Sequence, residues 1–207
     1  MRHRLLAIPI LLSLIAVHAT SPPPLGATHG AVAAPLRCSG ERWAVKTLSD
    51  DDAPLVNLSP VSASVTDLTA IPPPDSLPRL SRVAPTELTT YTVTADLVSA
   101  KLEDDGDIHL VVADPIDAKK TLNVHFPDTA NCSLSADQAL IDQMQAARDA
   151  YVAAFGTPSA ARTTALTGSA QITGVGFFDV PQGGGAAAPK GIDLHPALAF
   201  TQLNPGQ

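Results

Sequence analysis

The sequence predicts a mainly β domain with one helix: an OB-like five-stranded Greek-key barrel whose helix lies between strands 3 and 4. Three observations carry this. From position 89 onward the apolar residues recur with a period of two, and they change to helical spacing once, after Cys132. The elements therefore run strand, strand, strand, helix, strand, strand. The first strand is also long, and its apolar phase slips midway, which marks the bulge that lets one strand serve both sides of a small barrel. A sandwich or a split sheet would use the same elements, so the barrel is an expectation about connectivity.

Residues 1–19 carry Arg2, His3 and Arg4, an apolar run over 5–17, and Val17-His18-Ala19 as a small-residue cleavage site. This is the pattern of a secretory signal peptide. The run is shorter than the roughly 20 residues of a spanning helix, and Pro9 interrupts it. The expected product is secreted, periplasmic or held in the cell envelope, and does not span the membrane once the signal is removed. Residues 20–36 are rich in Pro, Gly and Ala and read as a flexible linker.

Residues 37–88 read as an N-terminal arm packed on the barrel. It contains Cys38, the single Trp at position 43 and an acidic turn Asp50-Asp51-Asp52. Cys38 and Cys132 are the two cysteines of a chain sent to an oxidising compartment, so one disulfide is expected between them. Trp43 is expected to be core rather than a stacking platform. A short helix over residues 61–68 precedes Pro72, Pro73, Pro74 and Pro78, which force an extended connection.

The barrel is expected over residues 89–203. Tyr91, Val93, Ala95 and Leu97 share one face of the first strand, and after the slip Val98, Ala100 and Leu102 take over. Residues 103–107, EDDGD, form the turn. The second strand points Ile108, Leu110 and Val112 inward, and Asp114-Pro115 ends it. The third, 121–126, points Leu122, Val124 and Phe126 inward. Ser135 and Gln138 have capping-box spacing, and Leu140, Met144, Ala147, Tyr151 and Phe155 form the stripe of a helix that Gly156 and Pro158 terminate. Strands four and five cover 171–178 and 191–200; Gly174 and Gly176 in the fourth permit a bend or a close backbone approach.

Loss of Arg2 and Arg4 with the signal leaves 11 Lys and Arg against 20 Asp and Glu, a formal charge of −9. From position 101 onward the basic residues are only Lys101, Lys119, Lys120, Arg148, Arg162 and Lys190. A binder of nucleic acid backbone needs the opposite balance, so no nucleic-acid partner is expected.

The runs ERWAVKT (41–47), LEDDGDIHLVV (102–112), ITGVGFFD (172–179) and GIDLHPAL (191–198) occur in order over most of the chain after the signal. Together they resemble a family of exported bacterial proteins of uncharacterised activity, with ERWxVKT, LExDxDIHLV, VTGVGFFD and GIxLHP motifs. The resemblance implies export and a single domain and brings no activity with it. Where that family has a His-Gly-Gln segment after the GFFD run, this chain has Pro181-Gln182-Gly183, which leaves that place without a third histidine.

Asp107 with His109, and Asp193 with His195, are each spaced i, i+2, so each pair shares a strand face opposite an apolar series. If the strands converge, two imidazoles and two carboxylates suit a divalent metal, whose bound water is a nucleophile. Alternation alone also places polar residues there, and the reading it favours is a solvated polar face. The EDDGD turn lacks the ligand spacing of an EF-hand. An OB barrel with an acidic hairpin resembles the thermonuclease family at the level of fold, but the predicted strands carry no Arg to stabilise a phosphoryl transition state. Gly183-Gly184-Gly185 lacks the Lys and Ser/Thr of a phosphate loop, and no G-x-S-x-G elbow occurs.

The function expected first is thus a small exported binding or interaction module. Its partner is an unknown ligand or envelope component, met by a surface that includes Phe177, the Gly-rich loop at 183–185 and the outer faces of strands two and five, and it needs no cofactor. The alternative is a metal-dependent hydrolase that uses a His/Asp site on the barrel.

Overall fold

Val98 is the residue at which the first barrel strand changes partner. In the computed structural model, which describes Cys38, residues 42–132, Leu134, residues 136–179 and residues 191–205, that strand is β2, Thr89–Leu102. Its first half pairs antiparallel with β6 (Gly168–Phe178), from Thr90 opposite Val175 to Asp96 opposite Ser169. Its second half pairs antiparallel with β3 (Ile108–Ala113) and, at Ser99 and Ala100, with the two-residue β5 (Thr164–Ala165), and the register to β3 shifts between Leu97 and Ser99. Val98 is the bulged residue and is 39% exposed, so the inward series resumes at Ala100 and not, as the alternation suggested, at Val98.

The remaining pairings close the ring. β3 pairs antiparallel with β4 (Thr121–Phe126), β4 parallel with β7 (Ile192–Pro205), and β7 antiparallel with β6, which returns to β2. Five strands in the cyclic order β2-β3-β4-β7-β6 form the closed barrel of an OB-like fold, and α3 (Gln138–Phe155) lies between its third and fourth strands. The interior is filled by the inward residues of all five strands, among them Val93, Leu110, Val124, Ile172 and Leu194, each fully buried.

Helix α3 adds its Met144, Ala147 and Tyr151 stripe to the core. Tyr151 packs at 5.4 Å from Phe126 and 5.7 Å from Phe200, an aromatic group against the barrel strands. Arg148 ties the helix down by donating to the Phe126 and Gly106 carbonyls at 2.7 and 2.9 Å. The N-cap is Asp137, whose side chain accepts from the Ala139 amide; Ser135, expected in that role, lies outside the described residues. Gly156, at φ 76°, ends the helix as expected.

The arm contains more regular structure than its sequence suggested. β1 (Asn57–Ser62) adds to β2 in parallel, an edge strand with all six residues exposed and hence no apolar period to betray it. α2 (Val65–Ala70) begins four residues later than the helix expected from 61, at a capping box between Ser64 and Asp67. Two buried ion pairs brace the arm internally, and the Glu87 pair is tied to the barrel through the Phe178 backbone. Glu87, fully buried, accepts both guanidinium nitrogens of Arg42 at 2.6 and 2.7 Å and the amides of Val83 and Phe178 at 2.6 and 2.8 Å. Asp50 pairs with Arg82, which also donates to the Val45 carbonyl. Asp50 is therefore an internal anchor and not part of a solvated acidic turn. Trp43, expected in the core, is only half-buried, and its neighbour Arg42 is the residue that locks the short helix α1 (Trp43–Lys46).

The Cys38–Cys132 disulfide is present, with Cα atoms 5.4 Å apart, and suits an oxidising compartment. No helix among the described residues is long and apolar enough to cross a membrane. The expected signal peptide, linker and Gly183 loop lie outside the described residues.

Candidate metal centre

β3, β4 and β7 are consecutive in the barrel, so their outward residues form one surface. His109 lies opposite His125, while Asn123 lies opposite Asp193 and Val124 opposite Leu194. Just beyond these pairs the rings of His125 and His195 stand side by side. The three imidazoles stack across the strands, with ring centroids 4.7 and 4.6 Å apart and planes within 9° of parallel.

The expected solvated face is not what the fold provides. Asp107, Asp193 and His195 are 1%, 2% and 1% exposed, while His109 and His125 are partly open. Phe177 of β6 stands edge-on to His195 at 5.6 Å. Arg42 and Lys46 lie over the Phe177 ring at 4.9 and 5.4 Å. Phe177 is itself fully buried, so it seals the site and offers no ligand-facing surface.

Each of the four residues singled out in the sequence reaches this place, and the structure pairs them across strands. Asp107 Oδ2 lies 3.2 Å from His195 Nε2, and Asp193 Oδ2 lies 3.5 Å from His125 Nε2. His109 Nδ1 points to Glu103 at 3.4 Å, at the open edge of the stack. One nitrogen or oxygen from each of Asp107, His125 and His195 falls within 4.8 Å of the others. His125 is not one of the four residues that the i, i+2 pairs single out, although its signal is present in the sequence: with Leu122, Val124 and Phe126 inward, Asn123 and His125 must face out.

Burial and charge divide the titrating groups. Burial, reinforced by the charge of His125, holds the pKa of His195 well below the usual histidine value. Burial also lowers His109 and raises the carboxyls of Asp107 and Asp105. His125 goes the other way: burial opposes its protonation, but the hydrogen bond and charge of Asp193 outweigh burial and raise its pKa.

Several polar atoms have been taken from water with nothing in exchange. Asp107 Oδ2, Asp193 Oδ1 and both nitrogens of His195 are buried and form no hydrogen bond among the described residues. The 3.2 Å approach of Asp107 to His195 lacks hydrogen-bond geometry. Donor atoms bound at about 2.0 to 2.2 Å to one ion stand about 3 Å apart, so the spacing of these two suits a shared cation. Two imidazoles and a carboxylate form a donor set for zinc and neighbouring divalent metals.

Compared with known protein families, with curated proteins and with solved structures, the chain matches none.

Proposed function

We propose that the protein is an exported binding module whose ligand is a divalent transition-metal ion, held by Asp107, His125 and His195. One observation carries this reading: Asp107 Oδ2 and His195 Nε2 lie 3.2 Å apart, buried, with neither in a hydrogen bond. An unpaired buried polar group costs about 1 to 3 kcal/mol, and more if charged. A cation between the two removes that cost for both at once. Asp193, 3.5 Å from His125, then serves as the outer carboxylate that orients a ligand imidazole. His125, the least buried of the three, completes the donor set.

The test is metal content. Protein stripped with a chelator and then loaded with zinc or manganese is dialysed and its metal measured against protein mass. The expected result is one ion per chain, lost in a His195→Ala/Asp107→Ala double variant. Absence of stoichiometric metal from the folded wild-type protein would refute the reading.

A second reading, a metal-dependent hydrolase, shares these residues. It is favoured by the ligand count, since three protein ligands leave positions open for water and substrate. Zinc-dependent hydrolysis of an activated phosphate or carboxylate ester, lost with His195→Ala, would support it. Stoichiometric metal without turnover leaves the binding module.

A further inference from the structure

The site is bordered by a cation that belongs to the protein. Arg42 anchors the start of α1 through Glu87, and Lys46 at the other end of the helix extends over the Phe177 ring. Its side chain is only 15% exposed, and Nζ lies 3.8 Å from Asp179. Lys46 Nζ and the His195 ring pack against the same Phe177 ring, 5.4 and 5.6 Å from its centroid, which brings the ammonium to the border of the site. On the other side of the Phe177 ring Asp107 lies 3.2 Å from His195 and Asp193 lies 3.5 Å from His125, while Arg42 is bound to Glu87 and Arg148 to two backbone carbonyls. Carboxylates on the site side of the ring argue against an anionic co-ligand and give Lys46 a different role.

We propose that Lys46 is a built-in competitor for the metal: its ammonium, held across Phe177 from His195, supplies part of the positive charge that the carboxylates of the site require, and so weakens the hold on a divalent ion. A fixed cation near the ion repels it, and it also stabilises the carboxylates of the metal-free protein. Both effects act in the same direction. The module thereby binds its ion reversibly instead of trapping it. This rests on the metal reading above.

The test compares zinc affinity, measured against a chelating dye, in wild type, Lys46→Met and Lys46→Arg. A unit charge within about 10 Å of a divalent ion in a partly buried site changes its binding on the order of tenfold. Lys46→Met, which keeps an apolar stem over Phe177, is expected to bind zinc about tenfold more tightly; Lys46→Arg, which keeps the charge, stays close to wild type. Raising the salt concentration should narrow the difference between Met and wild type. A purely structural Lys46 predicts weaker binding in the Met variant, so the sign decides. Lys46→Gln provides the same comparison if Lys46→Met fails to fold by circular dichroism. Equal or weaker binding in a folded uncharged variant overturns the role of Lys46 and leaves the metal site standing; no binding by wild type or by any variant overturns both.

Discussion

His195 Nε2 and Asp107 Oδ2 meet at 3.2 Å across the outer face of the barrel, from two segments 88 positions apart, and neither satisfies the other. If a metal completes this pair, the residues around it fall into a hierarchy. His195→Ala and Asp107→Asn remove ligands and should abolish tight zinc binding. Asp193→Asn alters only the group that orients His125 and should cost about 10- to 100-fold in affinity. His109→Ala, outside the ligand set, should leave affinity near that of wild type. Calorimetric titration of the four variants checks the order, and a His109 variant as damaged as His195→Ala would contradict it.

Stability without metal should depend on His195 at mildly acidic pH. Because burial keeps its folded pKa well below the ordinary histidine value, the unfolded chain binds a proton below about pH 6.5 that the folded chain refuses. Unfolding therefore gains protons, and stability falls as pH drops below about 6.5 toward the folded pKa of His195. His109 adds in the same direction, while His125, with its raised pKa, adds stability on protonation and opposes the trend. Thermal melts between about pH 7 and about pH 5 should show a smaller loss in His195→Phe than in wild type. Equal slopes would remove His195 as the cause.

Glu87 holds the arm by a buried bidentate pair to Arg42 and by two backbone amides. Glu87→Ala leaves a buried guanidinium unpaired and should destabilise the fold by about 3 to 5 kcal/mol. Chemical denaturation measures this. A loss below about 1 kcal/mol would mean that the arm is not anchored there.

Gly176 marks a close approach of β6 to the segment before β2. A Cβ at this position would lie 2.5 Å from the Thr86 carbonyl oxygen and 2.8 Å from the Tyr91 ring. One contact is with backbone and cannot swing away, so Gly176→Ala should cost about 1 to 3 kcal/mol. Unchanged thermal stability would contradict this packing.

Much of the barrel was legible because it rests on local chemistry. The phase slip near Val98 foretold the bulge at which β2 exchanges partners, and the Leu140 to Phe155 stripe foretold α3. The failures are equally physical. β1 carries no alternation because all its residues are exposed. Asp50 and Glu87 look like any surface acids until Arg82 and Arg42, 32 and 45 positions away along the chain, are brought against them.

The sequence by itself determined which residues face outward on β3, β4 and the start of β7, since side chains alternate with a period of two whatever the strand's neighbours. That placed Asp107 and His109 on one face, and Asp193 and His195 on another. Tertiary structure alone decided that these faces meet, that His125 lies between them, and that α1 and Phe177 bury the result. Those outcomes depend on strand order and register, which are set by cooperative packing of the whole core and by no local pattern.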